Sequence, residues 1–176
     1  MKIAIIRQKF VNYGGAEQFV SAYTTHLANM GHEINIFANQ WTPSEHPNIQ
    51  IHPIRAIKWN SFLRALSFAW FALKAVNSKT FDLVQSHERT WRQDLYRAGD
   101  GCHREWLERR ASYLPFFKKF SFRFNLFHQL ILKLEQIIFE GGQCKKIIAI
   151  SEMVKRDILK HYQLPESRIE VVYNGV

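Results

Sequence analysis

The chain has 176 residues, of which 47% are hydrophobic and 22% are charged. This length suits one well-packed domain and is too short for two full nucleotide-binding domains, and the composition excludes a disordered or fibrous protein. Because 24 Lys and Arg oppose 15 Asp and Glu, the formal net charge is +9, which favours phosphorylated sugars, anionic lipid surfaces or nucleic acid as partners.

Apolar runs and helical repeats alternate along the first hundred residues. Short runs rich in β-branched residues are typical of strands buried on both faces, and repeats of three and four residues are typical of helices. The pattern predicts strands at 3–6, 33–38, 50–54, 81–86 and 96–98, with helices at 16–30 and 60–77. This order predicts an α/β fold with a doubly wound, mostly parallel sheet of the Rossmann-like class.

The rest of the chain departs from this alternation and then returns to it. Residues 103–143 are predicted to be mostly helical, with an apolar stripe on the inner face of one long helix. The stripe consists of Phe116, Phe120, Phe124, Phe127, Ile131, Leu134 and Ile138. A strand at 145–150, a helix at 152–162 and a strand at 169–173 complete a single predicted domain over 1–176.

Metal, secretion and membrane-span signals are weak. Cys102 and Cys144 have no metal-ligand spacing and are expected to be reduced thiols in a cytosolic protein, so no metal site is predicted. Arg7 and Lys9 interrupt the first apolar run at once, which argues against a signal peptide. No stretch reaches the ~20 apolar residues needed to span a bilayer.

A glycine pair stands between the first predicted strand and the first predicted helix. Gly14 and Gly15 would lie at the carboxyl edge of the sheet, where glycine lets the backbone approach a ligand and a helix N-terminus attracts phosphate. The spacing is not a dinucleotide fingerprint, so the pair fits either a ligand loop or a tight turn. Glu17 fits a first-turn acid that complements the helix dipole.

The turn Gly99-Asp100-Gly101-Cys102-His103 is the best candidate for catalytic chemistry. A carboxylate or imidazole on a turn at this edge can orient an acceptor hydroxyl and take its proton, with Asp100 the first choice and His103 the second. The alternative is that Asp100 only closes the turn through its own backbone. Arg89, Arg92 and Arg97 could bind a phosphorylated acceptor sugar, or they could be ordinary solvated charges.

Basic and aromatic residues are interleaved between 103 and 123, where six Lys or Arg oppose two Glu. This composition is typical of a segment at an anionic membrane interface, although the aromatic residues from Phe116 onward also fit the inner face of a helix. The predicted membrane contacts are Arg104, Trp106, Arg109, Arg110, Phe116, Phe117, Lys118, Lys119 and Arg123.

Both ends of the chain resemble a known family. The opening strand with Tyr13-Gly14-Gly15-Ala16-Glu17, and the closing run from Ile148-Ala149-Ile150-Ser151-Glu152 through Leu164-Pro165-Glu166 to Asn174-Gly175-Val176, resemble the N-terminal half of a family 4 glycosyltransferase of the two-domain GT-B architecture. The branch most similar is the lipopolysaccharide core glucosyltransferases, which carry an aspartate in a context like that of Asp100 and a basic, aromatic membrane segment after it.

The resemblance implies a retaining hexosyltransferase that uses a nucleotide-sugar, UDP-glucose or a relative, as co-substrate and no metal or other cofactor. Gly14, Gly15 and Glu17 match a loop under the donor's phosphates and sugar. A carboxylate pair and the main donor-binding residues would lie in a second domain that this chain lacks, so the chain alone is expected to be inactive. The acceptor is expected to be lipopolysaccharide core or another lipid-linked glycan at the cytoplasmic face of the membrane.

Two other functions remain open from the sequence. The chain could be a non-catalytic module that binds anionic lipid or glycan without a second domain. It could also be an RNA-binding α/β protein, but the sequence contains no RNA-binding aromatic signature, helix-turn-helix or zinc module. Nucleic acid is therefore not a predicted partner.

Overall fold

The computed structural model describes residues 1–11, 15–113 and 124–173, with 15–17 described for their backbone only. The strands are β1 (Lys2–Ile6), β2 (Lys9–Phe10), β3 (Glu33–Ala38), β4 (Gln40–Trp41), β5 (Ile49–Pro53), β6 (Leu83–Ser86), β7 (Leu95–Ala98), β8 (Lys146–Ala149) and β9 (Ile169–Val171). The helices are α1 (Gly15–Asn29), α2 (Ser61–Asn77), α3 (His103–Ser112), α4 (Leu126–Glu140) and α5 (Glu152–His161), and a 3-10 turn covers Glu166–Arg168.

Seven strands form one parallel sheet in the order β5-β3-β1-β6-β7-β8-β9, which confirms the predicted Rossmann-like α/β class. The chain first builds outward from β1 to β3 and β5, then returns through α2 to place β6 on the other side of β1. Strand order therefore reverses between β1 and β6. In open parallel sheets, the carboxyl ends of the strands at such a reversal form the ligand crevice.

The two faces of the sheet are covered by different helices. Ile3 and Ile5 of β1 pack in one cluster with Val20 of α1, while Ala4 and Ile6 pack in another with Phe68 of α2. Because successive side chains of a strand point to opposite faces, a strand covered on both sides must be apolar at every position. This requirement explains the unbroken apolar run that predicts β1.

A third cluster fills the C-terminal part of the domain. Tyr96 and Phe139 meet edge to face with ring centroids 5.9 Å apart, and Ile147 and Ile158 are fully buried beside them. The cluster joins β7, β8, α4 and α5. The last two helices therefore hold β7 and β8 in place beside the crevice.

The prediction of one long helix with an apolar stripe from Phe116 is wrong at Phe124. That side chain is 63% exposed and precedes α4, which begins at Leu126 because the side chain of Asn125 accepts hydrogen bonds from the backbone N–H groups of Phe127 and His128. The core part of the stripe starts at Ile131. Phe116 and Phe120 lie outside the described residues, and the two-residue strands β2 and β4 were too short to predict.

Across residues 1–11, 15–113 and 124–173, no helix combines the length and the apolar character needed to cross a bilayer. The longest described helix is α2 with 17 residues. It packs one face on the sheet.

One carboxylate ties α3 to α5. Glu105 accepts hydrogen bonds from Arg109 Nε at 2.8 Å, Lys160 Nζ at 2.7 Å and His161 Nε2 at 2.6 Å. Hydrogen bonds from Lys160, His161 and Arg109 lower the pKa of Glu105 to about 2. Since the unfolded chain titrates near the ordinary value of about 4.3, ionised Glu105 stabilises the fold above that pH.

We expect Glu105→Gln to lower the urea-unfolding midpoint at neutral pH, because the three donors lose a charged acceptor. The difference from the parent chain should shrink as the pH falls from about 4.5 towards 2, where Glu105 itself becomes protonated. Glu170→Gln, at an exposed strand position, is the matched control. A difference that stayed constant over this pH range would contradict the assignment.

Candidate active site

The crevice at the strand reversal is lined by polar residues that follow the carboxyl ends of β1, β6 and β7. Arg7 follows β1, His87 and Glu88 follow β6, and Asp100 lies two residues beyond β7. The N-termini of α1 and α3 open at the same edge, since each helix follows one of these strands. The arrangement combines side-chain charge with the positive dipole ends of two helices.

Arg7 and Glu88 connect the two strands at the reversal. Arg7 Nη1 lies 3.4 Å from Glu88 Oε1, which also accepts the backbone N–H of Gln8 at 3.0 Å. Burial raises the pKa of Glu88, and the Arg7 charge opposes that shift. The pair fixes the start of the loop that leads to α1.

A series of buried side-chain hydrogen bonds lies at the base of the crevice. Tyr23 Oη donates to Gln85 Oε1 at 2.8 Å, and Gln85 Nε2 lies 2.9 Å from His87 Nε2. Because the amide nitrogen can only donate, His87 Nε2 must accept, which requires a neutral ring. Burial, followed by the charges of Arg97 and Arg7, lowers the pKa of His87 to about 3, in agreement with this assignment.

The side chain of Arg97, a residue of β7, extends to α1. Its guanidinium carbon is 4.1 Å from the centroid of the Phe19 ring, and the residue is only 8% exposed. A Cβ at position 99 would come within 3.1 Å of Arg97 Nη1, so glycine at this position leaves room for the guanidinium. Burial and then the neighbouring charge of Arg7 lower the pKa of Arg97, which marks a concentration of positive charge in the crevice.

Asp100 stands at the mouth of the crevice on a turn that a buried arginine holds. The Asp100 side chain is 62% exposed, and its Oδ2 lies 3.7 Å from Arg89 Nη1. Arg89 Nη2 donates to the carbonyl of Gly101 at 3.0 Å, and Gly101 adopts a positive φ of 70° that favours glycine. Arg89 therefore fixes the turn and faces the carboxylate that the turn presents.

Glu135 of α4 anchors that arginine and the helix after the turn. The fully buried carboxylate accepts Arg89 Nε at 3.0 Å and Tyr162 Oη at 2.8 Å. It also accepts the backbone N–H groups of His103 at 2.7 Å and Arg104 at 3.3 Å. An anion at a helix N-terminus satisfies N–H groups that have no partner within the helix.

His103 is half-buried at the start of α3. Its Nε2 lies 3.0 Å from His128 Nδ1, and its ring stacks on Trp106 with centroids 5.4 Å apart. Burial, then the charges of Arg89 and His128, lower the pKa of His103 to about 4. The ring is consequently neutral near pH 7 and is a weak base.

The structure groups some of the predicted site residues and separates others. Asp100 and Arg89 are in contact, and Arg97 lies on the same strand end, whereas Arg92 bonds to Asn77 at the end of α2. Because α2 runs back from the carboxyl edge before β6 begins, Arg92 lies towards the opposite edge of the sheet. Arg89 is not the solvated charge that the sequence left open, since its side chain is 11% exposed.

The predicted donor loop is described only in part. Gly15 is the first residue of α1, and Glu17 lies in the first turn of that helix. Gly14 and the side chain of Glu17 fall outside the described residues.

The predicted membrane segment is also described only in its first part, which forms α3. Arg109 bonds to Glu105 and Asp157, and Arg110 lies over the Trp106 ring at 5.2 Å. Arg104, Trp106 and Arg110 are exposed on this helix. The other predicted contacts, Phe116, Phe117, Lys118, Lys119 and Arg123, fall outside the described residues.

Sequence reasoning did not select Arg7, Glu88 or Glu135. A signal for the first two exists, because polar residues directly after two neighbouring parallel strands meet at one edge. Glu135 gave no such signal, since it lies 46 residues from Arg89 within an apolar helical repeat.

Two other features lie away from Asp100. Among the described residues, Glu105, Glu108 and His161 have the spacing of a metal site, but Glu105 already accepts hydrogen bonds from three side chains. A groove of about 660 Å³ lies between α2 and α4 and is lined by Trp70, Trp91, Arg92 and neighbouring residues.

A seven-stranded parallel sheet with a charged crevice at its strand reversal defines the doubly wound α/β class, whose members bind ligands at that edge. The family model described as glycosyltransferase family 4 matches residues 13–176. The chain therefore belongs to glycosyltransferase family 4.

Known relatives agree with this assignment. The lipopolysaccharide glucosyltransferase WaaG of Escherichia coli K12 is 22% identical over 179 residues, which covers all of this chain and 45% of WaaG. A crystal structure of WaaG matches the fold with a TM-score of 0.79 at 18% identity, over 96% of this chain and 44% of that one. The chain thus spans a little under half the length of this relative and resembles the N-terminal half of the GT-B architecture.

Two further solved structures share the fold. A sucrose-phosphate synthase from Thermosynechococcus elongatus matches with a TM-score of 0.67 at 14% identity, over 99% of this chain and 48% of that one. The apo lipopolysaccharide outer core galactosyltransferase WaaB matches with a TM-score of 0.56 at 17% identity, over 100% of this chain and 46% of that one.

We expect Glu135→Ala to destabilise the fold by about 3–5 kcal/mol, because it leaves the Arg89 charge buried without its carboxylate. Urea unfolding followed by circular dichroism measures the change. Asp100→Ala is the control and should shift stability by no more than about 0.5 kcal/mol, since that side chain is exposed. Equal unfolding midpoints for Glu135→Ala and the parent chain would contradict the anchoring role.

Proposed function

We propose that the chain is the acceptor-binding half of a retaining hexosyltransferase. The enzyme would transfer a sugar from a nucleotide-sugar, UDP-glucose or a relative, to lipopolysaccharide core or another lipid-linked glycan at the cytoplasmic membrane face. Membership of glycosyltransferase family 4 and the names of the relatives WaaG and WaaB support the substrate classes. The nucleotide-sugar is a co-substrate, and no metal or other cofactor is part of the proposal.

The position of Asp100 is the observation that carries this proposal. Its carboxylate is exposed at the carboxyl edge of the sheet, on a turn that Arg89 fixes from below. A carboxylate held in this way can accept a hydrogen bond from an acceptor hydroxyl, orient the oxygen and take its proton as that oxygen bonds to the sugar's anomeric carbon. In the same step the bond from that carbon to the donor's phosphate oxygen breaks, and the nucleoside diphosphate leaves with its electron pair. Arg89 acts as a positioning residue because its other contacts are to Glu135 and to the turn itself.

Asp100 is a better proton acceptor than His103 in this geometry. The His103 ring is stacked on Trp106 and its Nε2 already has His128 Nδ1 as a partner at 3.0 Å, whereas the Asp100 carboxylate is exposed at the mouth of the crevice. We assign His103 to shaping the wall of the acceptor site. Its neutral ring can still donate or accept one hydrogen bond.

Positive charge in the crevice would serve the anionic parts of the substrates. Arg7 lies close enough to Arg97 for its charge to lower the pKa of Arg97 further than burial does, and the N-terminus of α1 adds its dipole. We assign Arg97 to a phosphate group of the acceptor, and the Gly14-Gly15 loop with Glu17 to the donor. The carboxylate pair and most donor contacts belong to the proposed second half, so the chain alone would not turn over.

The first test is Asp100→Asn in a chimaera that joins residues 1–176 to the remaining half of E. coli WaaG. We expect kcat for transfer of labelled glucose from UDP-glucose to fall at least about 100-fold, because the amide cannot take the proton. Glu170→Gln is the matched control, an exposed acid on β9. Unchanged turnover of a folded Asp100→Asn chimaera would reject the catalytic role.

The second test is Arg97→Gln in the same chimaera. We expect KM for a phosphorylated core acceptor to rise about tenfold or more, with a smaller change for the same acceptor after phosphatase treatment. Arg92→Gln is the matched control, because Arg92 bonds to Asn77 away from the crevice. Equal KM values for Arg97→Gln and Arg92→Gln would contradict the assignment of Arg97 to the acceptor phosphate.

A further inference from the structure

Helix α2 is apolar on both of its faces. Phe68, Ala72 and Val76 are buried against the sheet, and the opposite side of the helix is also apolar. Leu63, Leu66, Trp70 and Phe71 fall at helical spacing on that opposite side. They line a shallow groove of about 320 Å³ together with Ile57 and Ser67. A surface helix normally has one apolar side, which faces the core, so a second apolar side indicates a further contact.

The outward side of α2 is exposed in this chain. Trp59 is 86% exposed just before the helix, and Ile57, Trp70 and Phe71 are each at least 40% exposed. Single exposed apolar residues are common, but a contiguous patch of this kind marks an interaction surface. We call it the α2 surface, formed by Ile57, Trp59, Leu63, Leu66, Trp70 and Phe71.

The chain segment that carries the α2 surface has charged residues of one sign only. Residues 46–81 contain no Asp or Glu, although they make up a fifth of the chain. They contain five exposed basic residues, Arg55, Lys58, Arg64, Lys74 and Lys79. Lys74 Nζ lies 5.2 Å from the Trp70 ring centroid, so a basic head group stands directly beside the exposed aromatic side chains.

We propose that the α2 surface binds the face of an anionic phospholipid bilayer, with α2 lying flat along it. The Trp and Phe rings would enter the boundary between head groups and acyl chains, while Arg64 and Lys74 reach lipid phosphates. Long basic side chains can keep their charges at the head groups while their methylene stems cover apolar surface. This surface is assigned independently of the transferase chemistry and shares no residue with α3.

Charge favours a bilayer over a second copy of the chain. In a symmetric dimer the same patch meets itself, so the basic residues of one copy would approach those of the other without any acid of 46–81 to offset them. An anionic lipid surface instead neutralises the basic residues that face it, such as Lys74 beside the Trp70 ring. The same partner then covers the aromatic rings and neutralises the basic side chains.

The test is sedimentation of the chain with phosphatidylcholine vesicles, with and without phosphatidylglycerol. We expect salt-sensitive binding to the phosphatidylglycerol vesicles and a blue shift of tryptophan fluorescence. The pair Arg64→Gln and Lys74→Gln should weaken binding about thirtyfold, since each charge near such a surface contributes about a factor of five. Trp59→Ser with Phe71→Ser should weaken it by at least a similar factor.

Matched variants locate the contact. Met30→Ser, at an exposed position after α1 on the opposite side of the sheet, should leave binding unchanged. Trp106→Ser tests whether α3 also contributes to vesicle binding. Circular dichroism of each variant confirms that it is folded before binding is compared.

Three results would overturn the proposal. The first is unchanged vesicle binding by folded Trp59→Ser/Phe71→Ser, whether or not Trp106→Ser abolishes it. The second is equal binding to vesicles with and without phosphatidylglycerol. The third is a dimer in the absence of lipid that Trp59→Ser/Phe71→Ser dissociates, which would assign the surface to a second copy. None of these results depends on transferase activity, so the proposed function stands or falls separately.

Discussion

The hydrogen bonds of Glu135 hold together the part of the domain that carries the candidate site. A fully buried carboxylate is tolerated only when charged or polar donors surround it, and Glu135 receives them from the loop after β6, the start of α3 and the residue after α5. Through Arg89 the same carboxylate determines where the Asp100 turn lies. The packing of α4 against its neighbours therefore also determines the position of the Asp100 turn at the sheet edge.

The two imidazoles beside the crevice add no charge to it near neutral pH. His87 and His103 have lowered pKa values because they are buried beside guanidinium groups, so both imidazoles are neutral. Arg7 and Arg97 remain as the positive groups nearest the strand reversal. A substrate phosphate would therefore meet positive charge from the arginines and not from these imidazoles near neutral pH.

The fold was predictable because each central strand must be apolar on both faces, and β1 shows this in four consecutive residues, from Ile3 to Ile6. The location of Asp100 at the sheet edge was predictable because it lies two residues beyond β7, whereas its catalytic role stays a prediction. Long-range partners were not predictable, since nothing local distinguishes Glu135 from an exposed helical acid. Likewise, the repeat that predicts α2 accounts for the inner face of the helix and does not predict where the side chains of Trp70 and Phe71 lie.

The topology relates the two proposed surfaces to each other. Because β5 and β7 are parallel, their carboxyl ends lie at the same edge of the sheet. Ile57 and Trp59 follow β5 at that edge, just as Asp100 follows β7. A bilayer against the first turns of α2 would thus adjoin the edge where Asp100 is exposed. An acceptor sugar anchored to lipid would then need to extend only along this edge to reach the carboxylate, whereas a soluble acceptor would gain nothing from the exposed rings of α2.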